Sequence, residues 1–243
     1  MIYICTVHHR STMWFDIQLN YLRKNLKSAH TILIKVPYQS DVSVLEEFSQ
    51  PDSKVIPVHF DTERRQPSID HSIALARLYK TVCEIGENAD IVCGFDSDAF
   101  PVGDLDSFIQ QIMAKQGIAA MPRWVNSNNI HPAFSLMSVL TYKLLGVGWG
   151  GGKYFRDTGG KLAEKLLEKK IDWYRLKRDN ADKDDASKLR AFGVYESLIY
   201  HHMAGSHIVP RQGSRRLRDA VLELIKTDDK FYLKLEDMKT SIK

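Results

Sequence analysis

Asp96 and Asp98 stand one residue apart in Gly94-Phe95-Asp96-Ser97-Asp98-Ala99-Phe100-Pro101, directly after Ala89-Asp90-Ile91-Val92-Cys93. An apolar run closed by a turn reads as a buried strand, which places both carboxylates at a strand end. Carboxylates at this spacing can share one divalent cation. Hard oxygen ligands suit Mg²⁺ or Mn²⁺, and either ion can in turn hold a diphosphate, with Ser97 between the acids as a further polar contact. The competing reading makes both acids solvated turn residues or caps of the helix over Asp104–Lys115.

The elements that must carry this turn follow from periodicity. Strands are predicted over Ile2–Val7, Thr31–Val36, Lys54–Phe60, Ile91–Phe95 and Gly117–Met121, the third of them peripheral because Pro57 cannot donate to a ladder. Helices alternate with them. One carries Phe15, Leu19, Leu22 and Leu26 on a single face, with Ser11 or Thr12 as its cap; others span Ser68–Gly86 and Asp104–Lys115. Alternation of this kind specifies an α/β fold with a mostly parallel central sheet and helices on both faces. Ligands of such sheets bind beyond the carboxyl ends of the strands, where Asp96 and Asp98 fall. Further along, 124–131 reads as a polar loop, Phe134–Tyr142 as an apolar run able to re-enter the sheet, and Lys161–Lys170 as a charged helix. Lys177–Lys188 reads as a surface loop, and an amphipathic helix begins at Arg215, with Leu217, Val221 and Leu224 on one face. Without a repeat or a clean linker, 1–243 reads as one domain.

Composition narrows the class without deciding it. A 243-residue chain with 44% hydrophobic and 26% charged residues is that of an ordinary globular protein. The net charge of +4 and pI near 8.8 fit an anionic small molecule as well as a nucleic acid. Cys5, Cys83 and Cys93 lack metal-ligand spacing, which favours reduced thiols in a reducing compartment. The N-terminus lacks a signal-peptide pattern and no apolar run reaches membrane-spanning length, so a cytoplasmic protein is expected.

Taken in order, strand, Phe-Asp-Ser-Asp-Ala-Phe-Pro and amphipathic helix resemble the nucleotide-sugar glycosyltransferases of the GT-A fold. Asp70-His71-Ser-Ile-Ala-Leu75, His131-Pro-Ala-Phe134 and Tyr200-His-His-Met-Ala-Gly-Ser206 are similar to further pieces of that group. Asp157-Thr-Gly159 resembles a short element beside the acceptor. The likeness runs from Ile2 to Ser206 and implies transfer of a sugar from a nucleoside-diphosphate donor to a hydroxyl of a glycan or glycoconjugate. It divides the domain into a donor-binding half (1–121), an acceptor and metal-completing half (122–213) and a C-terminal helix and tail (214–243). It also implies that Asp98 ligates Mn²⁺ or Mg²⁺ directly while Asp96 reaches ribose or the metal through water. A phosphohydrolase of the haloacid dehalogenase type is the alternative enzyme, although Phe100 stands where that class carries Thr or Val. A non-catalytic carbohydrate-binding domain on the same fold is the alternative without chemistry.

Other side chains complete the expected site. Thr6, His8 and Arg10 leave the first strand at its carboxyl end, where base and diphosphate would lie, and Arg10 can pair with phosphate. His201 and His202 are neighbours on a strand, so at most one faces a given site; the resemblance favours His201 as the late metal ligand. Asp70 and His71 open a helix, where an acid is commonly an N-cap, while the resemblance makes both donor contacts. Asp157 and Glu196 are the carboxylates able to take a proton from an acceptor hydroxyl, or else surface acids or caps. Arg123, Trp124, Asn126 and His131 suit sugar hydroxyls and ring faces. Trp149, among the five glycines of Gly146–Gly152, is either a ring platform on a lid or a buried Trp in a plain connection. The basic run Arg211–Arg218 is interrupted soon after by Asp219 and Glu223; it leaves peripheral membrane contact open and argues against nucleic acid.

Overall fold

The computed structural model describes residues 1–8, 14–36, 45, 47–59, 67–123, 127–154, 158–179, 193–202 and 212–234, with backbone only at 67–68 and 212–218. Strands β1 (Ile2–Val7), β2 (His30–Lys35), β3 (Ser53–Val58), β4 (Ile91–Asp96), β6 (Ile118–Pro122), β7 (Ile130–Ser138) and β8 (Tyr174–Arg175) form a seven-stranded sheet in the order β3-β2-β1-β4-β7-β6-β8. Pairings among β3, β2, β1 and β4 and between β6 and β8 are parallel; β7 alone runs the other way. The expected mostly parallel sheet is therefore present, with β3 and its Pro57 at the edge. The apolar run expected to re-enter the sheet does so as β7, ending at Ser138, whose hydroxyl caps the next helix.

Helices cover both faces because successive strand residues alternate between them. On one face, α1 (Phe15–Asn25) and α3 (Leu105–Lys115) pack Phe15, Leu19, Leu22, Ile109 and Ile112 on Ile4, Ile32, Cys93 and Phe134. On the other, α2 (Pro67–Ile85), α4 (Val139–Leu145) and α5 (Gly160–Glu168) pack Leu75, Leu78, Tyr142 and Leu166 on Tyr3, Cys5, Leu33 and Met137. Gly94 lets α2 come close: a Cβ there would stand 2.7 Å from the Tyr79 hydroxyl and 2.8 Å from Ser135 Oγ. Helix α1 begins at Phe15 with Trp14 at the cap position and no side-chain cap bond; the expected caps Ser11 and Thr12 lie outside the described residues. Cys5 and Cys93 are buried thiols, and burial pushes both up from the ordinary thiol range.

A smaller antiparallel sheet, in the order β5-β10-β9, joins β5 (Ala99–Pro101), β10 (Ile199–His201) and β9 (Gly193–Tyr195). Behind it an aromatic layer of Trp14, Tyr21, Phe100, Tyr200 and Phe231 is closed by Val221 and Ile225 of α6 (Gln212–Thr227) and a 3₁₀ turn at Phe231–Lys234. The last helix thus starts three residues before the sequence reading. Among the described residues no helix is long and apolar enough to cross a membrane.

Candidate metal centre

The chain passes from the large sheet into the small one through Ser97-Asp98, between the end of β4 and the start of β5. Pairing of His201 with Ala99 fixes what comes next to this turn. His201 Nε2 lies 3.5 Å from Asp98 Oδ1 and 3.9 Å from Asp96 Oδ2. The neighbouring His202 faces away: its Nδ1 is 2.7 Å from the Tyr200 hydroxyl, its ring packs on Trp14 at 4.8 Å, and its backbone N–H donates to the Asp98 carbonyl at 3.0 Å.

Two more imidazoles close on Asp96. From the first turns of α2, His71 Nε2 reaches Asp96 Oδ1 at 2.8 Å. Register brings the other: Phe95 pairs with Phe134, so the start of β7 overruns the end of β4 and carries His131 past Asp96. Ligand atoms of Asp96, His131 and His201 lie within 4.8 Å of one another. Two donors on a single cation are separated by at most twice a bond of about 2.1 Å, roughly 4.2 Å. The His201 distances to both carboxylates fall inside that limit, so His201 can share one ion with either acid, and His131 stands at the edge of the same cluster. Burial alone would raise the Asp96 carboxyl, but His71 first, then His131 and His201, hold it below the usual carboxylate range. Burial likewise opposes the His201 imidazolium, whereas Asp98 and then Asp96 lift its pKa above the ordinary value.

The cap reading of the acidic pair does not survive: Asp104 caps α3, accepting from Ser107 N at 3.1 Å. Nor is Asp70 an N-cap, since α2 starts at Pro67 and Asp70 lies within its first turn, buried, with no hydrogen-bond partner for Oδ1 among the described residues. Thr6 and His8 lie at the carboxyl end of β1 as expected, but are fully buried. Their partner is Gln18 on α1: Thr6 Oγ1 donates to Gln18 Oε1 at 2.8 Å and His8 Nε2 lies 3.0 Å from the same oxygen. Gln18 Nε2 donates in turn to the carbonyls of Asp96 and Ala99, each at 2.7 Å.

Glu196 is not brought to this corner. It sits in the turn leading into β10, at the opposite end of that strand from His201, and accepts from the Tyr174 hydroxyl (2.7 Å) and Lys177 N (3.0 Å). That bond, followed by burial, pushes the Tyr174 phenol up to about 12. Arg10, Asp157, Trp124 and Asn126 lie outside the described residues. Trp149 is a core residue, 5% exposed and 5.4 Å from the Tyr79 ring in an edge-on contact, so its reading as a ring platform is corrected. The glycine-rich segment is tied down as well, with Gly150 N bonded to Thr158 O and Lys161 N to Gly150 O.

Sequence reading missed His131 as a member of the cluster and Gln18 altogether. Gln18 did leave a signal, as a polar residue three after Phe15 and four before Leu22 on the apolar stripe of α1.

No protein-family model matches this chain, and no curated protein matches it in sequence. Among solved structures it is similar to the mannosyltransferase PcManGT from Pyrobaculum calidifontis in complex with GDP-Man and Mn²⁺, with a TM-score of 0.54 at 14% identity over 90% of this chain. The fold is GT-A. The chain spans 61% of that protein's length. TarS of S. aureus (10% identity, TM-score 0.46, 67% of this chain and 32% of that one) and GlyE of Streptococcus pneumoniae TIGR4 (12%, 0.47, 72% and 44%) also match.

Proposed function

We propose that this chain is a glycosyltransferase that holds a divalent metal at the Asp96–Asp98 corner and moves a sugar from a nucleoside-diphosphate donor to a hydroxyl acceptor. The observation that carries the proposal is the convergence of His131 and His201, from two further strands, on the carboxylates that end β4. The GT-A fold supports it, as does the GDP-Man and Mn²⁺ complex of the similar mannosyltransferase. That fold supports this reading over the haloacid-dehalogenase alternative.

Asp96, Asp98, His131 and His201 would hold the ion, which would stabilise the negative charge of a departing diphosphate. Nitrogen donors in the set favour a first-row transition ion such as Mn²⁺ over Mg²⁺, which prefers oxygen ligands and gives up water reluctantly. His71 orients Asp96 from the α2 side, and buried Asp70 is available there to hydroxyls of the donor. For the acceptor proton we assign Asp157 ahead of Glu196. Glu196 is committed to Tyr174 and Lys177.

A thermal-shift panel of nucleoside diphosphates, each with Mn²⁺ or with EDTA, tests the reading. Ligands that bind the native state raise its melting temperature by mass action. One nucleotide should stabilise the protein only when Mn²⁺ is present; a panel with no metal-dependent shift would overturn the assignment.

A further inference from the structure

Gln18 is wholly buried on the apolar face of α1, where burying an amide is costly unless its hydrogen bonds are made. All of its strong groups are used. One nitrogen serves the Asp96 and Ala99 carbonyls, and one oxygen serves Thr6 and His8. The orientation is fixed by chemistry: two carbonyls accept only from the NH₂ end, and the Thr6 hydroxyl donates only to the oxygen. That oxygen also requires the proton of His8 to sit on Nε2. The amide is thus a rigid fork, with its base on β1 and its two prongs on the first and last residues of the Asp96–Ala99 turn. Of the carbonyls between them, that of Asp98 accepts from His202 N at 3.0 Å.

We propose that Gln18 is a positioning residue for the metal centre: by tying together the Asp96 and Ala99 carbonyls it sets the separation of the Asp96 and Asp98 side chains. The inference rests on the metal reading above. Ser97 and Asp98 connect strands of two different sheets, so no common ladder fixes this turn, and the Gln18 fork supplies that constraint. Gln18 touches neither the ion nor the donor; its effect passes through the backbone of the residues that do.

The test is Mn²⁺ affinity, read from the electron paramagnetic resonance signal of unbound Mn²⁺, on folded wild-type protein, Gln18→Met, Gln18→Glu and Leu22→Ala. Methionine keeps the volume and removes every hydrogen bond. Glutamate keeps the acceptor for Thr6 and His8 but sets an oxygen against two carbonyls. Leu22→Ala destabilises the same helix without touching the turn. Both Gln18 variants should lose affinity on the order of 10- to 100-fold, the usual effect of removing a group that orients a metal ligand, while Leu22→Ala keeps affinity within about threefold. Affinity kept in a folded Gln18 variant, or lost equally in Leu22→Ala, overturns the inference and leaves the metal reading standing. Should Gln18→Met not fold, Gln18→Glu decides; if neither folds, Gln18 serves the fold rather than the metal and the inference is wrong. Wild-type protein that binds no Mn²⁺ overturns the metal reading itself.

Discussion

His201 Nε2 lies 3.5 Å from Asp98 Oδ1, although the two residues come from distant segments of the chain, brought together where β10 pairs with β5. His202, one residue on, is locked into the aromatic layer. The pair should therefore separate binding from stability. His201→Ala is expected to lower Mn²⁺ affinity more than about tenfold in the presence of nucleotide, with a smaller loss of melting temperature than His202→Ala. His202→Ala should cost about 1–3 kcal/mol of stability through its lost buried hydrogen bond, and keep most of the affinity. Isothermal titration with Mn²⁺ beside thermal melts decides between this pattern and its reverse.

Metal choice follows from the donors. With His131 beside Asp96 and His201 beside both carboxylates, Mn²⁺ should support transfer and nucleotide binding at concentrations where Mg²⁺ gives little of either. Replacing His131 with Asn should narrow that difference. Equal activation of the wild type by both ions at limiting concentration would contradict the proposed ligand set.

The pH dependence has a definite sign in protein stripped of metal with EDTA. His201 has a raised folded pKa, so its contribution is full below the unfolded value near 6.5 and fades as pH rises through the folded one. Asp96 has a lowered folded pKa, so its contribution is present above about 3.9 and fades as pH falls through the folded value. The cluster thus favours mildly acidic conditions without metal. Mn²⁺ needs the neutral imidazole, so the melting shift it produces should be larger at pH 8 than at pH 5.5. Melting curves with and without Mn²⁺ at both pH values would show it.

For the acceptor proton, Asp157→Asn should reduce kcat by on the order of 10²–10⁴, the range of general base catalysis, and leave Mn²⁺-dependent nucleotide binding unchanged. Glu196→Gln should retain most turnover and lose stability, because Tyr174 and Lys177 keep weaker partners. Turnover assays paired with binding on the same samples would expose the opposite ranking.

Trp149 belongs to the core rather than to a lid. Trp149→Ala should cost about 3–5 kcal/mol, as large-to-small changes in a packed interior do, measurable by urea unfolding. A variant as stable as the parent but with raised KM for the donor would return this residue to the site.

Much of the large sheet could be read from the sequence because its signals are local: apolar runs of strand length, helices of period 3.6, and Pro57 marking an edge. The Asp-x-Asp corner was legible for the same reason, its strand and turn being contiguous. What escaped depends on pairing across long stretches of chain. The reversed direction of β7 decides that His131 reaches Asp96, and a run such as Phe134–Tyr142 looks the same in either direction. Strands of three residues, as in β5, β9 and β10, are too short for alternation to announce. Gln18 was hidden by its helix, where a single polar residue on an apolar stripe passes for an interruption.

The pairing of Ala99 with His201 also sets an order of assembly. The crossover through α1 joins β1 to its paired neighbour β2, close in sequence, and such contacts close early and at low entropic cost. The Asp96–Asp98 corner must wait until the distant end of the chain arrives and the three-residue β10 docks on β5. A nascent or refolding molecule therefore pairs β1 with β2 before it brings His201 to Asp98, and under the proposed ligand set only a chain complete through His201 offers the full cation site.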